Sequence, residues 1–289
     1  MPYVNSDGVR LYWKEHGSGP PVLLIMGLSF THEMWYRVLP ALTSRCRVIL
    51  FDNRGMGLSD VPTGPYTIRQ MARDAAAVLD AARVPAAHVI GASMGGMIAQ
   101  ELALTYPTRV LSLVLACTSH GALLARWPRF VRPRGIKWGE AERRARELAL
   151  APLLYAPSTP LDRIHEDLEV QCRSNWTYKG FLNQFSGILL WSSYRRLPTI
   201  DVPTLVVHGD RDCLIPHQNG RVVASRIPGA RFRLIENAGH ILTTDQPEAC
   251  TRIMVEFVRQ IRGTSNFEPG TTCSSLPPAA TAPARATTP

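Results

Sequence analysis

The segment that most limits what this chain can fold into is residues 89–97, VIGASMGGM, which sets a serine within the pattern Gly-x-Ser-x-Gly. Residues 86–90 are typical of a short buried strand, and residues 95–105 carry apolar side chains at helical spacing. Ser93 is therefore expected on a sharp turn between a strand and a helix, which holds its hydroxyl exposed. The flanking glycines fit such a turn, because a Cβ there would clash with the neighbouring strand or helix.

An exposed serine becomes a nucleophile only when a base accepts its proton and an acid orients that base. Two later segments offer these groups, each at the end of a predicted strand. The predicted strand 202–208 is followed by Asp210 and Asp212, and the predicted strand 231–235 is followed by His240. We predict that His240 is the base.

Two aspartates compete for the role of the acid. Asp210 directly follows the strand and is expected to brace the turn, so the spacing favours Asp212. Three other histidines lie near the same loops. His208 is predicted to pack at the end of its strand, and His32 and His217 are predicted to be exposed.

Four motifs, in a fixed order along the chain, carry a resemblance to a known family. They are residues 25–28 (IMGL), residues 51–59 (FDNRGMGLS), the turn around Ser93, and the paired segments 209–212 (GDRD) and 238–240 (AGH). With the order serine, aspartate, histidine, the chain resembles the serine hydrolases of the α/β-hydrolase superfamily. The resemblance extends from about residue 3 to residue 262.

Within that superfamily, residues 60–68 and 93–98 are most similar to the branch that holds the 3-oxoadipate enol-lactonases and small carboxylesterases. The resemblance implies an α/β-hydrolase fold, with a mostly parallel, doubly wound sheet and a helical cap inserted after the sixth strand. It implies a serine esterase that needs no cofactor and acts on small to medium neutral esters through an acyl-enzyme. An enol-lactonase-like lactone hydrolase is the first alternative, followed by a cofactor-free perhydrolase or a C–C bond hydrolase. A ligand-binding receptor that carries the triad is the non-enzymatic alternative.

An attacked ester carbonyl becomes an oxyanion, which backbone N–H groups fixed in advance can stabilise. Met94 is predicted to supply one N–H, because it follows the serine and opens a helix whose N-terminal end carries partial positive charge. By the resemblance, the second donor is the amide of Leu28, after the predicted strand 21–25. The family often has His-Gly where this chain has Met26-Gly27, so a softer and more apolar pocket is expected.

Strand signals vanish in the middle of the chain, where helices are expected to cover the serine and to define the substrate pocket. The predicted division is a first core segment over residues 1–118, a helical cap over 119–197, a second core segment over 198–263 and a tail over 264–289. Cap helices are predicted near residues 138–150, 161–175 and 178–191. The predicted pocket residues are Met26, Trp35 and Trp127. The tail is rich in Thr, Ala, Pro and Ser and is predicted to be disordered.

The net charge of +9 is unevenly distributed. A run of basic residues without an acid is interleaved with two aromatic residues, and it consists of Arg126, Arg129, Arg132, Arg134 and Lys137. Such a run could bind nucleic acid. Without a nucleic-acid-binding fold, a solvated surface is the favoured interpretation, and a third possibility is that one or two of these arginines meet an anionic substrate. The predicted partner is a small-molecule ester or lactone.

Residues 52–59 are interpreted as architecture. The glycines there allow a tight loop after the predicted strand 47–51, and Asp52 with Arg54 is expected to tie that loop. No metal site is predicted, because no two histidines or cysteines fall at ligand spacing on one element. No phosphate or dinucleotide loop is predicted either, because the close glycine pairs lack the third glycine or the lysine that such loops need.

The six cysteines are scattered along the chain, and no signal peptide precedes Tyr3. We therefore expect reduced thiols in a cytoplasmic protein. The apolar runs are too short to cross a bilayer, so no membrane partner is predicted. The sequence leaves the oligomeric state open.

Overall fold

The computed structural model describes residues 3–126 and 143–262. Its strands are β1 Tyr3–Ser6, β2 Val9–His16, β3 Pro21–Ile25, β4 Arg47–Phe51, β5 Ala87–Ala92, β6 Val110–Ala116, β7 Thr204–Gly209 and β8 Arg231–Ile235. They form one sheet in the order β1-β2-β4-β3-β5-β6-β7-β8. β2 pairs antiparallel with β1 and with β4, and every pair from β4 to β8 is parallel. The predicted mostly parallel sheet is confirmed.

Helices connect most of the parallel strands. They are α1 Leu39–Thr43, α2 Ile68–Ala81, α3 Met94–Thr105, α4 Arg143–Leu154, α5 Leu161–Arg173, α6 Tyr178–Leu190, α7 Gln218–Arg226, α8 Leu242–Asp245 and α9 Pro247–Arg262. The helix α2 begins at a capping box, in which Thr67 and Gln70 each satisfy the other's backbone N–H. Within the described ranges, no helix combines the length and the apolar character needed to cross a bilayer.

The sheet is covered on both faces, which explains why its central strands are almost wholly apolar. Successive side chains of a strand point to opposite faces. In β3, Leu23 and Ile25 join a core cluster with residues of α2 and α3, whereas Val22 and Leu24 join a second cluster with residues of α1 and α9. The fold is therefore doubly wound, as predicted.

The residues that the structure describes between β6 and β7 include the helices α4, α5 and α6, which we call the inserted helices. A helical insertion after the sixth strand is the arrangement that the sequence predicts. The first predicted helix, 138–150, lies partly outside the described residues, and α4 continues beyond it to Leu154. The tail 264–289 also lies outside the described residues, and the division of the chain into core and cap segments stays a prediction.

Parallel pairing brings the carboxyl ends of β3, β4, β5, β7 and β8 to the same edge of the sheet. The segments that follow these strands contain the predicted oxyanion loop, residues 52–59, Ser93, the two aspartates and His240. In open α/β sheets this edge is where ligands bind. The fold therefore gathers residues that are up to about 200 positions apart in the chain, as such topologies do.

Candidate active site

Ser93 occupies the turn between β5 and α3, with φ of 56° and ψ of −120°. L residues rarely adopt this backbone conformation. A Cβ added at Gly91 would lie 2.3 Å from the carbonyl oxygen of Gly95, and one added at Gly95 would lie 2.1 Å from the carbonyl oxygen of Ile25. The predicted turn is present, and both glycines are needed because backbone approaches them closely.

Asp212 and His240 lie together at the ends of β7 and β8. His240 Nδ1 is 2.9 Å from Asp212 Oδ2, and Asp212 Oδ1 accepts hydrogen bonds from the N–H groups of Leu214 and Ile215 at 3.0 and 2.8 Å. Burial alone would raise the pKa of Asp212, but the imidazoles of His240 and His208 hold it well below its usual value. An ionised Asp212 fixes the proton of His240 on Nδ1 and leaves Nε2 free to accept one.

The two aspartates have different surroundings. Asp210 Oδ1 accepts a hydrogen bond from the N–H of Ala238 at 3.3 Å, and its carboxylate contacts Arg211 at 3.6 Å, so it braces the turn. His208 is fully buried at the end of β7, and its Nε2 also lies 3.3 Å from Asp212 Oδ2. The sequence indicated the burial of His208 and missed this contact.

The loop that carries His240 is fastened to the inserted helices. The N–H groups of His240 and Ile241 both donate to the carbonyl of Leu154, the last residue of α4, at 2.8 and 2.9 Å. Asp245 Oδ2 accepts a hydrogen bond from the N–H of Gly239 at 2.5 Å, while its Oδ1 accepts from the segment that follows α4. No local sequence signal could reveal these last bonds, because they join residues more than eighty positions apart.

The two predicted oxyanion donors flank the serine. Met94 is the first residue of α3, so its N–H has no acceptor within the helix. Leu28 lines the same cavity as Ser93, and a Cβ added at Gly27 would lie only 3.0 Å from Ser93 Cβ. The inserted helix α6 helps to hold this loop, because Gln184 accepts a hydrogen bond from the N–H of Ser29, the residue after Leu28, at 3.3 Å.

A cavity of about 260 Å³ lies against Ser93 and His240. The inserted helices contribute Leu150, Leu153 and Leu154 from α4, and Phe181, Phe185 and Ile188 from α6. The wall is mainly apolar, with a few polar groups near the serine, as is usual for small-molecule sites. Such a cavity fits an uncharged aliphatic or aromatic group.

The predicted pocket residues Met26 and Trp35 do not line this cavity, and this prediction needs correction. Both belong to the core cluster beside α1 and α9, and they line a separate space of about 30 Å³ on another side of His240. Trp35 is fully buried, because the turn at residues 32–35 folds it into the core. The third predicted residue, Trp127, lies outside the described residues.

Residues 20–247 match the family described as alpha/beta hydrolase fold. The chain belongs to this family. A protein of Azorhizobium caulinodans that is named as a carbamate hydrolase, RutD, is 33% identical over 264 residues, which cover 90% of this chain and 99% of that protein.

Two solved structures extend the comparison. The enol-lactonase of Burkholderia xenovorans is 26% identical with a TM-score of 0.77, and the match covers 89% of this chain and 100% of that one. A thermophilic esterase of Thermogutta terrifontis is 26% identical with a TM-score of 0.74, and the match covers 90% and 97% of the two chains. The resemblance to this branch of the α/β hydrolases is confirmed, and the chain is a hydrolase.

In this α/β hydrolase, Asp52 ties the loop 52–59 as predicted, because its Oδ2 accepts a hydrogen bond from the N–H of Leu58 at 3.0 Å, but the predicted role of Arg54 in that tie is wrong. Asp52 accepts hydrogen bonds from the N–H and from Nδ1 of His32, and Arg54 forms two hydrogen bonds with the buried Asp74 of α2. His32 is 5% exposed, so its predicted exposure is wrong as well. A buried carboxylate needs donors, and His32 supplies two of them. His217 is partly exposed.

Of the basic run, only Arg126 falls within the described residues, and it lines the cavity of the α/β hydrolase. Its backbone is pinned by Asn219 of α7, whose amide accepts from the N–H of Arg126 at 2.7 Å and donates to its carbonyl at 2.9 Å. The other four basic residues lie outside the described residues. One residue of the basic run therefore borders this mainly apolar cavity.

Cys117, Asp212 and His240 are the one group in the described ranges whose atoms lie close enough together to suggest a metal site. Burial, with a contribution from Asp212, raises the pKa of the Cys117 thiol well above its usual value, so the thiol keeps its proton. Asp212 already accepts three hydrogen bonds from its own surroundings. This donor set suits a hydrogen-bonded network better than a cation. Cys117, Cys172, Cys213 and Cys250 are free thiols.

Proposed function

We propose that this α/β hydrolase cleaves carboxylic esters through an acyl-enzyme formed on Ser93. The observation that carries the proposal is that Ser93, on its strained turn, and His240, paired with Asp212, face one apolar cavity. A serine, a base and an orienting acid are the groups that acyl transfer to a serine requires. No metal or cofactor enters the proposed reaction.

In the first step, Ser93 Oγ attacks the ester carbonyl while His240 Nε2 accepts the hydroxyl proton. The N–H groups of Leu28 and Met94 stabilise the oxyanion, at about 3 to 4 kcal/mol for each donor. The tetrahedral intermediate collapses as His240 returns the proton to the departing alkoxide. In the second step, water gives a proton to His240 and attacks the acyl-enzyme. His240 then returns this proton to Ser93 Oγ as the bond between the acyl carbon and the serine breaks, which releases the acid and regenerates Ser93.

The cavity favours neutral substrates of small to medium size. Its apolar wall would leave a charged acyl group without water and with few partners, and burial of an unpaired charge is unfavourable. The similarity to an esterase is consistent with this choice.

A lactone that carries a remote carboxylate is the second candidate substrate. Arg126 on the cavity wall is the observation in its favour, together with the similarity to an enol-lactonase. A guanidinium binds a carboxylate through charge-assisted hydrogen bonds. Both candidates use the same nucleophile, so they differ only in what the cavity selects.

Hydrolysis of p-nitrophenyl acetate and butyrate, compared between the wild type and Ser93→Ala, tests the reaction. We expect turnover by the wild type and a loss of roughly a millionfold in the variant, as for other triad deletions. A folded wild type that binds these esters without turnover would instead be a receptor.

Matched neutral and anionic esters and lactones then separate the two substrate classes. We expect higher kcat/KM for the neutral member of each pair. A preference for the anion, with KM for it raised about tenfold to a hundredfold by Arg126→Gln, would assign the lactone reaction.

A further inference from the structure

A second histidine contacts the carboxylate that orients His240. His208 Nε2 lies 2.8 Å from the carbonyl oxygen of Ile215 and 3.3 Å from Asp212 Oδ2. A carbonyl oxygen can only accept a hydrogen bond, so Nε2 of His208 carries the proton. The N–H of His208 therefore donates to the Ile215 carbonyl, and the same nitrogen lies 3.3 Å from the carboxylate oxygen that His240 contacts at 2.9 Å.

The other ring nitrogen shows that His208 is held in one neutral tautomer. His208 Nδ1 is buried and has no hydrogen-bond partner among the described residues. Gly220 of α7 packs against it so closely that an added Cβ would lie 2.4 Å from Nδ1. A second proton on the ring would become a buried donor without an acceptor, which is unfavourable.

We propose that His208 is a positioning residue for the acid: its Nε2–H holds both Asp212 and the Ile215 carbonyl, and so fixes the loop that orients His240. This proposal rests on the proposed function, in which Asp212 orients the base. Asp212 and Ile215 belong to the same short loop after β7, and the Asp212 carboxylate already accepts from the N–H of Ile215. His208 lies in β7, just before this loop, and its Nε2 contacts both residues.

The donor also sets how strongly the carboxylate attracts the proton of His240. A carboxylate that accepts one more hydrogen bond has its negative charge spread over more partners. The titratable groups that face the pair are His240, Cys117 at the end of β6, and His217 at the start of α7, with Asp210 and Arg221 beside His217. Removal of the His208 donor should therefore allow Asp212 to stabilise protonated His240 more strongly.

The test compares His208→Gln with His208→Met. The two side chains have the same length, but only glutamine carries an N–H donor near the position of Nε2. We expect His208→Met to lower kcat about tenfold, the usual effect of a lost hydrogen bond to a charged group, with KM nearly unchanged. We expect the acidic limb of its pH profile to move to higher pH, because the base would lose its proton less readily. His208→Gln should restore most of both properties.

Melting temperatures of both variants separate positioning from packing. If His208→Met and His208→Gln lose the same activity, or if His208→Met lowers only the melting temperature while kcat and the acidic limb stay unchanged, the proposal is overturned.

Nitrogen NMR of the imidazole rings gives a readout that needs neither turnover nor a variant that folds. We expect the wild-type His208 ring to carry a proton on Nε2 and none on Nδ1. The opposite tautomer, or a doubly protonated ring at neutral pH, contradicts the proposal. Failure of the wild type to hydrolyse any ester would count against the proposed function, and the tautomer would still show whether Nε2 of His208 carries the proton that the proposal requires.

Discussion

At the residue scale, Ser93 combines the proposed nucleophilic hydroxyl with a backbone conformation that a side chain disfavours. Its φ of 56° lies in the left-handed region, where glycine is unstrained. We expect Ser93→Gly to be more stable than Ser93→Ala, by about 1 kcal/mol or about 2 to 4 °C in melting temperature, although both lack the nucleophile. Calorimetry of the two variants measures this difference, and an alanine variant of equal or higher stability would show that the turn stores no strain.

The two aspartates after β7 give a second prediction at this scale. Asp212→Asn should lower kcat by about four orders of magnitude, because an amide cannot fix the required tautomer of His240. Asp210→Asn is the matched control, since it makes the same chemical change two residues away, where the carboxylate braces a backbone N–H. It should lower stability with little effect on kcat. Equal losses of turnover in two folded variants would leave the acid unassigned.

The serine turn and the choice between the aspartates could be made from the sequence because the signal is local. Glycines beside the serine and the spacing after a strand act within a few residues. The burial of His32 was missed because its partner Asp52 lies on another loop, twenty residues away. Arg54 was assigned to the nearest acid, whereas the structure pairs it with Asp74 on a helix.

At the scale of elements, the inserted helices support the catalytic loops as well as covering them. Gln184 of α6 is fully buried, accepts from the N–H of Ser29 at 3.3 Å and donates to the carbonyl of Arg54 at 2.8 Å. It therefore links the loop after β3, which carries the Leu28 amide, to the loop after β4. A helix from the insertion thus helps to fix a predicted oxyanion donor.

Gln184→Met keeps the size of this side chain and removes both hydrogen bonds. We expect kcat to fall about tenfold to a hundredfold, because a small displacement of a catalytic group is enough for such a loss. Ser186→Ala on the same helix is the control, since that hydroxyl donates to a carbonyl within the helix. Steady-state kinetics on one ester check both variants. A folded Gln184→Met that keeps full kcat would mean that the loop is fixed without α6.

Several strands and the helices α3, α5 and α6 could be predicted because their periodicity is local, and β8 was placed at its observed bounds. The residues of the cavity wall could not be predicted from the sequence. Met26 belongs to the predicted oxyanion loop and Trp35 to the turn that follows it, but both side chains join the core cluster beside α1 and α9. The sequence does not show which cluster these side chains join, because that cluster also depends on packing against α9, which lies far away in the chain.

At the scale of the whole molecule, Glu101 ties the core helix α3 to the chain that returns from the inserted helices. It is 3% exposed, accepts from Trp191 Nε1 at 2.7 Å, and forms two hydrogen bonds with Arg196. Burial acts to raise the pKa of Glu101, but these donors outweigh it and lower the pKa below its usual value. A carboxyl whose pKa falls on folding stabilises the protein above its unfolded pKa, and this contribution is lost as the pH falls.

We therefore expect Glu101→Gln to reduce the free energy of unfolding at pH 7 by about 1 to 3 kcal/mol. The difference from the wild type should shrink as the pH falls below about 4, where the unfolded carboxyl is protonated. Urea unfolding at several pH values measures both effects. Glu256→Gln on the exposed side of α9 is the control and should change stability little at any pH. A pH-independent loss at position 101 would indicate a packing defect.

The carbonyl that holds His240 and Ile241 belongs to the main chain of Leu154, and every residue type carries that group. Side chains of α4 can therefore be exchanged during evolution, with a new cavity shape each time, while the backbone N–H groups of His240 and Ile241 keep their acceptor. The length of α4 cannot change in the same way, because one inserted residue would rotate the carbonyl of its last residue by about 100° and shift it by about 1.5 Å. Descendants of this chain are expected to diversify through substitutions in α4, and to tolerate insertions only beyond its ends.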